Sequence, residues 1–177
     1  MLASSEELTA KLNQQVGNEM GASMQYIAIA SYFDGESLTG LARFFYAQSE
    51  EERDHAMRFV RYIVDSGEEV QIPDIPAPKA GFSSAAEAVA MALDWEKEVT
   101  GQIYDLVAIA RKDGNLLAER FLDWFVNEQY EEVTTMGELL DVIKRAGEDN
   151  LLAVEEHLAR EGKVPSGPLP GAAGSEG

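Results

Sequence analysis

The sequence contains no cysteine and few basic residues. Without cysteine the chain has no disulfide, no thiolate metal site and no cysteine nucleophile. This absence does not indicate whether the protein works in an oxidising or a reducing compartment. The 14 lysine and arginine residues against 32 acidic residues give a formal net charge of −18. Such a charge repels nucleic-acid phosphates and anionic membrane surfaces and favours cations. We therefore expect neither nucleic acid nor a membrane as a partner.

Long apolar runs and targeting signals are also absent. No stretch approaches the about 18 uninterrupted apolar residues of a membrane-spanning helix. The N-terminal segment MLASSEELTA lacks the basic-then-apolar order of a signal peptide. The 177 residues, 45% of them hydrophobic, are enough for one well-packed domain and too few for two. We therefore expect one domain in a soluble cytoplasmic protein.

Proline occurs in only two segments, EEVQIPDIPAPKAGF and the C-terminal tail. Elsewhere, apolar residues recur at helical spacing, which predicts four long amphipathic helices. The first runs from about Ser5 to Asp34, and the second is capped by Ser37 and stops at Gly67. The third starts at Ser84 with a capping box to Glu87 and ends near KDGN. The fourth runs from after Asn115 to about Ala146, with Gly137 as a kink or close-packing point.

The segment EEVQIPDIPAPKAGF cannot continue a helix and is expected to be extended. An extended segment of about fifteen residues spans the height of a helix bundle, so helices two and three can run parallel. The predicted fold is all-α, a four-helix bundle with a long crossover between helices two and three and a short fifth helix in EDNLLAVEEHLAREG. Residues 163–177 are rich in Gly, Pro, Ser and Ala and are predicted to be a flexible tail after a domain of residues 1–162.

Each long helix has a core stripe that is apolar at both ends and polar in its middle. The central residues lie twelve to fifteen positions from the predicted helix starts, about 20 Å along each axis; they are Glu19, Glu52, Glu96 and Gln129. The first pair and the second pair are each 33 positions apart, and a further polar residue follows three positions later, His55 and then Glu132. The two halves look like copies of one helix pair whose polar residues meet at mid-height.

Buried carboxylates need a counter-charge. Moving them ionised into an apolar interior costs far more than the roughly 5–15 kcal/mol of a domain's net stability. Lysine and arginine are absent from the mid-stripe positions, which leaves a metal as the counter-charge. Carboxylate oxygens with one imidazole and no sulfur suit iron or manganese. Four glutamates balance two divalent ions, so the pattern predicts a dinuclear metal site.

The pattern resembles that of the non-haem bacterial ferritins, particularly the actinobacterial kind with a tail rich in glycine, proline and alanine. The likeness rests on a Glu in the first helix, ExxH in the second, a Glu in the third and QxxE within FLDWFVNEQYEEV in the fourth. MQYIAIASYFD and FYAQSEEERDHAM support it, and it covers essentially residues 6–162. The resemblance implies a ferritin-like bundle in a shell of 24 subunits, with the fifth helix at the four-fold contacts.

The resemblance also implies roles for individual residues. It assigns a first iron to Glu19, Glu52 and His55, and a second iron to Glu52, Glu96 and Glu132 with Gln129 close by. Glu52 then bridges the two. The resemblance also places a third, weaker iron site on the side that faces the interior of the shell, at Glu51, Glu128, Glu131 and Glu132. Tyr26, on the Glu19 stripe, is a hydrogen-bond donor to a ligand, a local electron donor or a core tyrosine, and the sequence leaves these roles open.

The implied activity is that of a ferroxidase. Dioxygen or hydrogen peroxide oxidises two Fe(II) to Fe(III), and the ferric iron moves to a hydrated oxide mineral inside the shell. No haem is expected, because haem-bearing relatives carry a second ExxH in the fourth helix and a methionine directly after the bridging glutamate. In this sequence, Gln129 and Glu132 stand where those relatives have the second ExxH, and Arg53 stands where they have the methionine.

Two other interpretations stay open. One is a bundle-type diiron oxidase or peroxidase without storage, as in rubrerythrin-like proteins. Those proteins usually carry ExxH in both halves and often a cysteine-rich iron domain, and neither occurs in this sequence. The other is a non-catalytic helical or shell protein whose acids only solvate it, which leaves the mid-stripe glutamates without a partner.

Overall fold

The computed structural model describes residues 4–171, and this part of the chain contains α-helices and no β-strand. The elements in order are α1 Glu6–Gly35, α2 Thr39–Asp65, α3 Ala85–Lys112, α4 Leu116–Ala146, a single 3₁₀ turn Glu148–Asn150 and α5 Leu151–Arg160. The predicted all-α fold, with a long crossover after the second helix and a short fifth helix, is confirmed. Within the same residues, no helix is long and apolar enough to span a bilayer.

The core is divided into two apolar clusters, one toward each end of the bundle. α1 packs mainly on α2 and α3 mainly on α4, while α1 also contacts α3. One cluster lies near α5 and includes Phe33, Phe45, Val89, Leu139 and Leu158. The other lies at the opposite end and includes Leu8, Phe59, Ile103, Leu122 and Phe125. The mid-stripe polar residues therefore lie between these two apolar clusters.

Three helices begin at local caps, of which the sequence analysis predicts the one at Ser84. The side chains of Ser5, Ser84 and Asn115 accept hydrogen bonds from the backbone N–H groups three residues later, at 3.1, 3.0 and 3.1 Å. These bonds satisfy donors that the first turn of a helix leaves without an intrahelical partner. The caps fix where α1, α3 and α4 begin.

The prediction that Ser37 caps α2 is wrong. Ser37 adopts a positive φ of 63°, and the N-cap is Leu38, whose side chain makes no capping bond. Glu155 of α5 supplies the cap instead, since its Oε1 accepts from the backbone N–H of Gly40 at 2.6 Å and of Leu41 at 3.1 Å. The negative charge also complements the positive end of the helix dipole. α5 therefore fixes the start of α2.

The capping box predicted at the start of α3 forms only in part. Ser84 accepts from the Glu87 N–H, but the Glu87 carboxylate accepts from the N–H of Ser83, one residue earlier than a capping box requires. The first N–H groups of α3 are satisfied by Glu148, which accepts from Ala85 at 2.9 Å and Ala86 at 3.0 Å. The link between α4 and α5 is thereby joined to α3.

The crossover is held against α1 by amide side chains. Asn13 Nδ2 donates to the Glu69 carbonyl at 3.1 Å, and Asn13 Oδ1 accepts from the Gln71 N–H at 2.6 Å. Gln25 makes the same two kinds of bond with the backbone of Lys79, at 3.1 and 2.8 Å. These bonds supply the partners that an extended segment without a β-ladder needs. The crossover therefore follows α1 for about three turns, from Asn13 to Gln25.

The structure does not bear out the close-packing role predicted for Gly137. α4 runs without a break through Gly137, and a Cβ placed there would meet nothing within 4 Å, so Gly137 is not a close-packing point.

Val164 and Leu169, in the segment after α5, are partly buried and pack against the apolar cluster near α5. The predicted flexibility of residues 163–177 stays a prediction, and its last part, residues 172–177, lies outside the described residues.

We predict that Gly17→Ala destabilises the fold whereas Gly137→Ala does not. A Cβ at Gly17 would lie 2.3 Å from Pro73 Cγ of the crossover, so the crossover must move, at a cost of about 1–3 kcal/mol. At Gly137 the same change meets open space and gains up to about 1 kcal/mol of helix propensity. Denaturant unfolding of both variants measures the difference. Equal midpoints for the two would contradict the close contact between Gly17 and Pro73.

Candidate metal centre

All four long helices contribute to one buried polar layer between the apolar clusters. Its members are 0% to 5% exposed; α1 supplies Glu19, α2 supplies Glu52 and His55, α3 supplies Glu96, and α4 supplies Gln129 and Glu132. The structure thus brings together the residues whose stripe positions coincide in the sequence. Packing of α1 on α2 and of α3 on α4 sets their common height.

Among the described residues, two groups of ligand-type side chains overlap at Glu52, and a third group joins His55 to Glu128 and Glu132. Glu19, Glu52 and His55 offer atoms that all lie within 4.8 Å of one another, and so do Glu52, Glu96 and Glu132. Glu52 belongs to both groups, so one carboxylate lies where it can contact two cations. These two groups match the residues that the resemblance assigns to the first and second iron, although their metal binding stays a prediction.

Two buried atoms of the first group make no hydrogen bond. They are Glu19 Oε2 and His55 Nδ1, the latter 3.4 Å from Glu52 Oε2. A buried acceptor without a partner costs about 1–3 kcal/mol, and native proteins rarely leave one without a reason. A carboxylate oxygen and an imidazole nitrogen facing the same space are ligands for a transition-metal ion. The donor set therefore fits a bound cation.

Glu96 of the second group is held by neighbouring side chains. The Tyr26 hydroxyl donates to Glu96 Oε1, and Gln129 Nε2 donates to Glu96 Oε2 at 3.0 Å. Gln129 Nε2 also lies 3.2 Å from the Glu96 carbonyl and 3.4 Å from Thr100 Oγ1. Of the three roles open to Tyr26, the structure supplies the contact that the first one requires. Gln129 points its amide hydrogens, and not its oxygen, at Glu96.

The imidazole of His55 lies between the metal groups and an aromatic wall. Trp124 and Phe125 pack edge-on against it, with ring centroids 5.4 and 5.9 Å away. Arg58 in turn lies over the Trp124 ring, 4.0 Å from its centroid. His55 Nε2 faces Glu128 Oε1 at 3.9 Å while Nδ1 faces Glu52. The wall therefore aims the two nitrogens at two different carboxylates.

Burial raises the pKa of every carboxyl group in the polar layer. For Glu19 and Glu52, loss of hydration raises the pKa well above its usual range, and neighbouring carboxylates, Glu52 and Glu96 respectively, raise it further. Loss of hydration on burial also raises the pKa of Glu96, while the hydrogen bonds from Tyr26 and Gln129 oppose the rise. Burial, with Glu96 next, raises the pKa of Glu132 to about 9. A cation entering this layer must therefore displace protons.

The residues predicted for a third iron line an adjoining cavity of about 390 Å³ between α2 and α4. Its walls include Glu51, Glu128 and Glu131, and also Glu132 from the second group. Burial raises the pKa of Glu51. The chain just after α5, at Gly162, Lys163 and Pro165, forms part of the same wall. The cavity therefore links the polar layer to the α2–α4 face through the shared Glu132.

Two buried glutamines, Gln15 and Gln48, lie beside carboxylates of the predicted metal sites, and the sequence analysis assigns neither of them a role. Gln15 Nε2 donates to Glu19 Oε1 at 2.9 Å. Gln48 is 8% exposed; its Nε2 donates to Glu51, and its Oε1 has no partner. Each glutamine precedes a mid-stripe glutamate by four positions, Gln15 before Glu19 and Gln48 before Glu52. That repeated Q-x-x-x-E spacing was the signal that sequence reasoning did not use.

Comparisons with known proteins identify relatives of this chain and solved structures with the same fold. The family model of the ferritin-like domain matches residues 9–146. The chain is 47% identical over 152 residues to "Ferritin BfrB" of Mycolicibacterium smegmatis, covering 86% of this chain and 83% of that protein. It is 40% identical over 157 residues to "Bacterial non-heme ferritin" of Staphylococcus epidermidis, with coverage of 88% and 95%. The open pore ferritin of the archaeon Archaeoglobus fulgidus superposes with a TM-score of 0.86 at 29% identity, over 90% of this chain and 98% of that one.

We predict that the chelator-treated protein loses stability as the pH rises. The pKa of Glu132 is about 9 in the fold against an ordinary value of 4.5, so the folded state holds a proton that the unfolded state has lost between these values. The stabilising effect of protonation is complete below pH 4.5 and is lost as the pH rises toward 9. Thermal unfolding of chelated protein at pH 5, 7 and 9 should give a falling Tm. Added divalent cation should reverse the fall, and a Tm that rises over this range would contradict the raised pKa.

Proposed function

Because the chain belongs to the ferritin family, we propose that it oxidises Fe(II) at the buried polar layer and stores Fe(III) as a mineral inside an oligomeric shell. The family assigned from the sequence is confirmed by the match over residues 9–146 and by the curated relatives. The observation that carries the proposal is the pair of overlapping ligand groups that share Glu52, with buried ligand atoms of Glu19 and His55 left without hydrogen bonds.

In the proposed reaction, Fe(II) is the substrate at two neighbouring positions. Glu19, Glu52 and His55 hold one ion, and Glu52, Glu96 and Glu132 hold the other, with Gln129 next to the second. Four carboxylates and one neutral imidazole match the charge of two divalent ions. The lack of Lys and Arg in the polar layer leaves these acids without another counter-charge.

The electrons and protons balance without a further cofactor. Two Fe(II) each lose one electron, and dioxygen takes up the two electrons with two protons to give hydrogen peroxide. Hydrogen peroxide takes up two more electrons and two protons from a second pair of Fe(II) and gives two waters. Glutamic acids with a raised pKa release protons as iron binds, close to where the oxidant needs them. Anionic oxygen ligands favour the ferric product.

The acidic cavity between α2 and α4 is proposed as the next position for iron. Glu51, Glu128 and Glu131 hold the third, weaker ion there, and Glu132 is shared with the second position. Ferric iron leaving the dinuclear site then passes from one set of oxygen ligands to another. By analogy with the family, 24 copies form the shell, and this face turns toward its cavity.

The experiment that tests this function is an anaerobic titration with Fe(II), followed by exposure to air. Oxygen uptake and ferric absorbance are recorded together. We expect a fast phase that saturates near two irons per chain, and further iron that stays soluble in a particle far larger than one subunit. Saturation at two followed by precipitation would favour an oxidase without storage. A complete lack of a fast phase would contradict the enzymatic proposal.

We predict that Glu52→Ala abolishes the fast phase while the fold is retained. The change removes the carboxylate shared by both ligand groups, and it also relieves repulsion among buried acids. Glu50→Ala is the matched control, because Glu50 lies on the same helix and is exposed. Stopped-flow absorbance and circular dichroism report the rate and the fold. Unfolding of Glu52→Ala, or an unchanged fast phase, would contradict the assignment of Glu52.

A further inference from the structure

A chain of amide side chains leads from Glu19 to the surface between α1 and α3. Gln15 Nε2 donates to Glu19 Oε1 at 2.9 Å. Asn18 Nδ2 donates to Gln15 Oε1 at 3.0 Å and to Gln102 Oε1 of α3 at 2.9 Å. Gln14 Nε2 donates to Asn18 Oδ1 at 3.2 Å. These amides line a cavity of about 290 Å³ that opens on the α1–α3 face.

Asn18 decides which end of the Gln15 amide faces Glu19. Its two N–H bonds go to two oxygens, one on Gln15 and one on Gln102. If the Gln15 amide were reversed, its NH₂ group would face the NH₂ group of Asn18, and its oxygen would face a Glu19 oxygen. When Glu19 is ionised, as metal binding requires, both contacts would lose a hydrogen bond in a region where Gln15 is only 1% exposed. The chain therefore has one favoured direction, with donors pointing toward Glu19.

The direction of this chain makes the two oxygens of Glu19 unequal. Oε1 accepts the Gln15 hydrogen bond, whereas Oε2 is buried and accepts none. Oε2 belongs to the carboxylate that groups with Glu52 and His55. A carboxylate held by a donor on one oxygen cannot rotate freely, so the other oxygen keeps its aim. Outer hydrogen bonds of this kind orient metal ligands and raise metal affinity.

We propose that Gln15, aimed by Asn18, is a positioning residue that makes Glu19 bind the first metal ion through Oε2. The inference rests on the proposed function, because it assumes that Glu19 is a ligand. It assigns to the α1–α3 amide chain a role that the ligand groups alone do not reveal. Asn18 acts through Gln15 and does not touch the metal position.

The test uses three variants with nearly unchanged side-chain volume. Gln15→Met removes the amide that contacts Glu19. Asn18→Asp replaces a donor with an acceptor and so favours the reversed Gln15 amide. Gln102→Glu is the matched control, because it adds the same negative charge to the same face but keeps the acceptor for Asn18. An added negative charge alone should strengthen cation binding. A loss of cation affinity in Asn18→Asp would therefore be opposite in sign to the effect of the charge.

Anaerobic Co(II) titration of the full-length protein, followed by visible absorption, measures binding without oxidation. We expect the unaltered protein to bind two Co(II) per chain. Gln15→Met and Asn18→Asp should each weaken one of the two by about tenfold or more, and Gln102→Glu should weaken neither. In Fe(II) oxidation, the same two variants should raise KM more than they lower kcat. The double variant should be no worse than Gln15→Met alone, because Asn18 acts through Gln15.

The outcomes separate this inference from the proposed function. Two Co(II) bound with unchanged affinity in both Gln15→Met and Asn18→Asp would overturn the positioning role and leave the function intact. An equal loss in Gln102→Glu would overturn it too, since charge on the face would then explain the effect. Failure of the unaltered protein to bind Co(II) would instead overturn the metal site. If Gln15→Met does not fold, Asn18→Asp, changed at a partly exposed position, still decides.

Discussion

The burial of four carboxylic acids among four helices is the constraint on which the rest of this structure depends. Each acid is held where its ionised form is unfavourable, as the raised pKa of Glu19, Glu52, Glu96 and Glu132 indicates. Such a layer adds little stability by itself, so the two apolar clusters at the ends must hold the bundle together. The division of the core into two clusters follows from the need to keep a polar layer at its centre.

Helix register matters as much as helix packing, because the ligands meet only if all four helices start at the right height. Local caps at Ser5, Ser84 and Asn115 set three of these starts. Two glutamates from the C-terminal region, Glu155 at α2 and Glu148 at α3, bind the first turns of the helices on either side of the crossover. α5 and the turn before it therefore act on the site from a distance, by fixing the positions of α2 and α3.

Much of this arrangement could be predicted from the sequence. Helical periodicity places Glu19, Glu52 and Glu96 on inward-facing stripes at one height, because the spacing of residues along a helix is regular. Caps that lie within four residues of their partners are predictable for the same reason. The cap of α2 was not, because it comes from Glu155, 115 positions after the Gly40 whose N–H it accepts from. The direction of the Gln15 amide also depends on contacts between helices, which a single stripe does not contain.

The two halves of the chain share a 33-residue spacing, but their ligand groups differ in a way that bears on the direction of iron movement. The first group contains two carboxylates and an imidazole, while the second contains three carboxylates. Ferric iron is harder than ferrous iron and prefers anionic oxygen, so the second group favours the product more than the first does. Glu132 of that group also lines the acidic cavity between α2 and α4, where Glu51, Glu128 and Glu131 add further oxygen ligands. In the proposed reaction, both positions therefore lie next to this cavity, the second through Glu132 and the first through His55, which groups with Glu128 and Glu132.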